Sequence, residues 1–206
     1  LTDSWGSAFK GDFAERRVYN RALMDAERVI IQNHLAARYG VTLDEGDVYA
    51  GKGAAAGDYD LDVVGIGCTT AAGTYDAPGA VVRSESSAGL TLEALGGSLD
   101  EDGEYLLAGH KAVANGWVYS GGAQTGVSRR WQREWYLDKT SAAGLDVSMA
   151  FDFDAAGVSL ISQEDEPVYL LLWRADAASG YVDTGVIPDV EGNTLTFTVP
   201  NAALAD

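Results

Sequence analysis

The strongest constraint on this chain is a set of strict period-two patterns separated by turn residues. Val147, Met149, Phe151 and Phe153 alternate with Ser148, Ala150, Asp152 and Asp154. Leu195, Phe197 and Val199 alternate with Thr194, Thr196 and Thr198, and Leu90 and Leu92 with Thr91 and Glu93. A period of two places one side-chain set on each face of a strand, so these runs read as antiparallel strands with one buried and one wet face. Tyr105 to Ala108 and Val168 to Trp173 are continuously apolar and read as strands buried on both faces, or as central strands. Gly96-Gly97, Asp100 to Gly103, Ala114 to Gly116, Gly121-Gly122 and Gly192-Asn193 supply turn chemistry between the runs. Many short strands at close spacing predict an all-β fold, an antiparallel β-sandwich of jelly-roll or immunoglobulin-like type.

One segment departs from this period. Met24 to Tyr39 contains helix formers and neither Gly nor Pro. Asp25 and Glu27 lie where a helix dipole favours anions, Arg38 lies in the last turn, and Gly40 suits a left-handed C-cap. Ile31, Leu35 and Tyr39 are spaced to share a face. The spacing predicts one N-terminal helix. Before it, Phe13, Val18 and Tyr19 are the apolar anchors of one or two strands. After it, residues 44–59 read as a Gly-, Ala- and Asp-rich linker, and the β pattern runs from residue 60 to the end. The expected organisation is 1–43, 44–59 and 60–206, the last lacking its final strand because the chain stops just after a strand-like run and a turn.

Composition narrows the function classes. The 206 residues include 31 Asp+Glu and 14 Lys+Arg, a net charge of −17. Such a charge argues against binding a phosphate backbone, so no nucleic-acid partner is expected. Apolar runs are far shorter than the ~20 residues of a spanning helix, so no membrane insertion is expected. One Cys allows no intrachain disulfide, and two His argue against a His-rich metal site. Residue 1 is Leu and no basic-apolar leader follows it.

Two sets of residues are candidates for chemistry. Asp58, Asp60 and Asp62 alternate, and in a strand they would share a face and could hold calcium, which takes six to eight oxygens. The EF-hand pattern is not met, because Val63 and Thr69 stand where Gly and Glu belong, and a solvated acidic edge is the competing reading. Trp117, Tyr119, Tyr75 and Tyr181 lie in or beside Gly-rich turns and are the candidates for stacking on sugar rings; packing over the sandwich ends is the alternative. Trp131, Trp135 and Trp173 read as core.

Catalysis finds no pattern. A glycosidase needs two carboxylates across a sugar, and no strand carries such a pair. Glu134 reads as the wet face of an ordinary strand from Arg130 to Leu137. There is no Gly-x-Ser-x-Gly elbow. His34 and His110 read as packing or surface residues, and Cys68 as a small buried hydrophobe. Gly65-Ile66-Gly67 lacks the third glycine and the helix of a dinucleotide site.

The segment Glu15-Arg16-Arg17-Val18-Tyr19-Asn20-Arg21-Ala22-Leu23, with Ala26-Glu27-Arg28 and Leu35-Ala36-Ala37-Arg38-Tyr39-Gly40, resembles the closing strand and exit helix of bacterial laminin-G-like (concanavalin-A-like) lectin domains. Met24 stands where Ser commonly caps that helix. Asp62 to Gly67, Ser86 to Leu92, Tyr105 to His110 and Arg130 to Trp135 resemble an uncharacterised β-domain that follows such lectins in large secreted proteins. The resemblance implies an extracellular or cell-surface setting. It implies a non-enzymatic module for adhesion, glycan contact or domain spacing. Its partners would be neighbouring domains of the same chain and polysaccharide. An accessory carbohydrate-binding module and a strand-accepting assembly module are the alternatives.

Overall fold

The computed structural model describes residues 11–70, 78–112, 114–119, 129–140, 144–161 and 168–204. Helix α1 spans Asp25–Tyr39, and the strands are β1 Leu61–Thr69, β2 Gly79–Val81, β3 Arg83–Glu85, β4 Leu90–Ala94, β5 Glu104–His110, β6 Trp117–Tyr119, β7 Arg129–Trp131, β8 Trp135–Lys139, β9 Val147–Asp152, β10 Leu172–Trp173, β11 Val182–Asp183, β12 Asp189–Glu191 and β13 Thr194–Val199. One sheet has the order β2-β1-β5-β8 and a second the order β12-β13-β9-β4-β3. The pairs β6–β7 and β10–β11 form two small ribbons. All described pairings are antiparallel. The protein is an all-β sandwich with one N-terminal helix.

The alternating runs behave as their period demands. Val147, Met149 and Phe151 of β9 and Leu195, Phe197 and Val199 of β13 point into the space between the sheets. They meet Val64, Ile66 and Cys68 of β1, Leu106 and Ala108 of β5, and Leu90 and Leu92 of β4. Register pairs Phe197 with Met149 and Met149 with Leu92, so apolar side chains stack across three strands. Cys68 is part of this core, and burial, with Glu104 nearby, pushes its thiol pKa up.

The other face of the first sheet explains why β1 and β5 are apolar on both sides. Val63, Tyr105 and Leu107 pack under α1, against Ala26, Ile30 and Ala37. Gly65 leaves room for the helix: a Cβ there would lie 2.9 Å from Leu107 and 3.4 Å from Ile30. The helix starts at Asp25 without a side-chain cap from Met24; instead the Glu27 carboxylate accepts the Met24 N–H at 2.8 Å. It ends on Gly40, left-handed at φ 63°, with the Val41 N–H bonded to the Ala36 carbonyl at 2.9 Å.

Four expectations change here. The packed face of α1 runs through Ala26, Ile30, Asn33 and Ala37, while Ile31 and Leu35 are half-buried and Tyr39 is exposed. Small residues face the sheet because backbone and helix approach closely at Gly65. Among the described residues, 11–23 form no strand, and Phe13 and Val18 are exposed. Val168 to Trp173 pairs only through the two residues of β10, with Val168, Leu170 and Trp173 exposed. Tyr169 and Leu171 reach the core from one side only. Finally, Arg130 to Leu137 is two strands in different sheets, broken at Gln132 to Glu134.

The Gly- and Ala-rich stretch after the helix packs onto the sheet. Asn33, fully buried, donates to the carbonyls of Val29 and Gly46 and accepts the Val48 N–H at 3.1 Å. Tyr49 is buried beneath Tyr136 and donates its hydroxyl to the Tyr59 carbonyl at 2.6 Å. Tyr49→Phe removes this donor and leaves a buried carbonyl unsatisfied. The expected loss is about 1–2 kcal/mol, read from urea unfolding with an unchanged m-value.

Candidate functional site

Two linked polar clusters form at the end of the first sheet where β1 starts, β5 ends and β8 starts. The first begins at Asp62. Asp58 and Asp62 both have positive φ, 56° and 48°, and the pairing of β1 with β5 shifts register between Leu61 and Val64. A left-handed residue breaks the pleat, so alternate positions no longer share a face. Asp58, Asp60 and Asp62 therefore do not converge. Among the described residues, no group of three or more His, Cys, Asp or Glu side chains is placed to hold a metal ion. Asp62 instead turns to protein donors. Its Oδ2 lies 2.9 Å from His110 Nε2, and its Oδ1 accepts from Ser87 Oγ at 2.8 Å. Burial pushes the Asp62 carboxyl up, but His110, Ser87 and Arg133 outweigh it and hold the pKa below the usual range. His110 is buried at the end of β5, edge-on to Trp135 at 5.0 Å.

The second cluster is centred on Glu134, in the break between β7 and β8. Its carboxylate meets Arg174 Nη2 at 2.6 Å, Lys111 Nζ at 3.0 Å and Arg130 Nη1 at 3.3 Å. The Tyr181 hydroxyl donates to it, and the Tyr59 hydroxyl lies at 3.4 Å. Arg130 and Arg174 both lie over the Tyr181 ring, 5.2 and 4.9 Å from its centroid, and Lys111 lies 4.9 Å from that of Tyr59. Burial pushes the Glu134 carboxyl up, yet the Tyr181 hydroxyl, Lys111 and Arg174 together hold its pKa below the usual range. Burial and the neighbouring carboxylate push the Tyr181 phenol up to about 12. The segments involved precede β1, follow β5, span the β7–β8 break and join β10 to β11. His110 beside Lys111, and Arg133 beside Glu134, link the two clusters.

The four candidate sugar-stacking residues do not form one platform. Tyr181 belongs to the Glu134 cluster. Trp117 is stacked on Phe153 at 5.5 Å and donates its indole N–H to the Ser159 carbonyl at 2.8 Å, so it closes the end of the core. Tyr119, on the same ribbon, is 76% exposed, with Arg129 5.0 Å from its ring centroid. Tyr75 lies outside the described residues. Trp131 and Trp135 pack on the core, as read from the sequence, but Trp173 is exposed.

The alternation from Arg130 to Leu137 puts Glu134 on a wet strand face and gives no link to Lys111 or Arg174. The available signal was the density Arg129-Arg130-Trp131-Gln132-Arg133-Glu134, with three of the chain's 14 cations within five residues. Alternation concealed the bend that gathers them.

Fold and site define an antiparallel β-sandwich domain with a loop-built polar cluster at one end. Residues 27–205 match the family described as Domain of unknown function (DUF8202), and the chain belongs to that family. No curated protein and no solved structure matches the chain.

Proposed function

We propose that the chain is a non-catalytic module of a larger secreted or cell-surface bacterial protein, contacting glycans for adhesion through the loop end of the sandwich. The Glu134 cluster carries this reading. Glycoside cleavage needs a general acid that holds a proton near neutral pH, and Glu134 is surrounded by groups that keep it ionised, which argues against that role alone. The same holds for Asp62. Carboxylate, guanidinium and phenol groups held rigidly by one another suit hydrogen bonding to sugar hydroxyls, and loops fixed on a sandwich are a common place for binding residues. Tyr119 adds an exposed ring. The resemblance to domains that follow lectins supports the secreted setting and partnership with neighbouring domains.

A glycan array probed with the whole chain tests this. Signal on at least one glycan is expected, falling about tenfold with Tyr181→Ala, or ~1.4 kcal/mol. Trp117→Ala should change stability first, since that ring packs on Phe153. Silence across the array would overturn the reading.

A further inference from the structure

The Glu134 cluster holds three cations to one carboxylate, in a chain whose net charge is −17. The side chains of Lys111, Arg130 and Arg174 are only 27, 28 and 19% exposed, and that of Glu134 14%. Half-buried charge in excess of its counter-charge is unfavourable until an anion joins it. Among the described residues no other acid hydrogen-bonds these three cations, although exposed Asp176 acts on Arg174 through its charge. Asp62 is held by His110 and Ser87. Asp176, beside Arg174, accepts the backbone N–H groups of Ala178 and Ser179.

Donor capacity is also unspent. A guanidinium offers five N–H donors in a planar fork. Arg174 uses Nη1 on the Ala177 carbonyl and Nη2 on Glu134. Arg130 uses Nη1 alone, on the Trp131 carbonyl and Glu134, both at 3.3 Å. Its Nε and Nη2 donate to no partner among the described residues. A fork with free donors, backed by an ammonium group, matches a carboxylate or sulfate oxygen pair.

We propose that this cluster binds the anionic group of an acidic polysaccharide, a uronate carboxylate or a sulfate ester. Arg130 is the ligand-facing donor, and Glu134 is the internal counter-charge that holds the cations in place. This rests on the glycan-contact reading and names its ligand class. The chain's overall charge repels polyanions, so retention of one at about 0.15 M salt, where screening acts over ~8 Å, reports the local cluster rather than the whole-protein field.

The test titrates the whole chain with polygalacturonate, dextran sulfate and uncharged dextran in affinity electrophoresis. At least one of the two polyanions is expected to bind and dextran to pass freely. Arg130→Ala should weaken binding about tenfold, the worth of one charge-assisted contact, and Arg130→Lys should restore it only in part because the fork is lost. Neutral glycans bound as well as polyanions, with no response to Arg130, would overturn the anionic assignment and leave glycan contact standing. Binding of neither kind, by electrophoresis and on the array, would overturn both.

Discussion

Gly89→Ala is expected to remove at least ~3 kcal/mol of stability, a large share of the ~5–15 kcal/mol available to a domain. Gly89 lies between β3 and β4 at φ 88°, where an L side chain is already strained. Its N–H bonds the Ser86 carbonyl at 3.1 Å and its carbonyl accepts the Asp152 N–H at 2.7 Å. The added Cβ would sit 2.2 Å from the Asp152 carbonyl oxygen and 3.1 Å from both the Ala156 Cβ and its backbone nitrogen. Backbone atoms cannot swing aside as a flexible side chain would, so β4 or the turn after β9 must move. Gly96→Ala is the control: its φ is 63° but nothing lies within 4 Å of the new atom. It should cost only about 1–2 kcal/mol, the conformational part alone. Urea unfolding of both variants separates clash from strain. Equal losses would mean that the contact at Gly89 relaxes without cost.

The sandwich was legible because its main strands carry their instructions locally. Phe151 and Phe197 face inward for the same reason that Asp152 and Thr196 do not, and a period of two needs no knowledge of partners. The helix was legible through Gly40 and the acids of its first turn. Its packed face was not, because Ala26 and Ala37 are weak apolar signals whose value lies in letting the helix approach Gly65. Val168 to Trp173 misled for the opposite reason. Its hydrophobicity is strong, yet it pairs with β11 through two residues and leaves Val168, Leu170 and Trp173 exposed.

The site was less legible than the fold. Asp58, Asp60 and Asp62 looked like one face because alternation assumes an extended backbone, and two left-handed residues violate that assumption. Glu134 and Arg174 are 40 residues apart, and Glu134 and Tyr59 are 75 apart. No local period encodes such meetings. They follow from strand order, which brings the loops after β5, β7 and β10 to one end.

Glu134→Ala is expected to destabilise the protein by about 2 kcal/mol near neutral pH. Removing one partner of a buried ion pair costs ~3–5 kcal/mol, because the remaining charge loses its compensation. The discount reflects the partial exposure of Lys111, Arg130 and Arg174, which water screens. Acid dependence distinguishes this from lost packing. The folded-state pKa of Glu134 is depressed, so its ion pairs contribute fully above the unfolded value of ~4.3. That contribution is lost as pH falls through the folded value, where protonation leaves the three cations without their carboxylate. The wild-type Tm should fall below about pH 4.5 more steeply than that of Glu134→Gln, which keeps the shape but has no proton to take up. Asp62, also depressed, leaves a residual slope in both proteins. Parallel curves for wild type and Glu134→Gln would show that the cluster is not an electrostatic strut. Convergence of the two curves in acid would show that these ion pairs fasten the loops from which Arg130 presents its free donors.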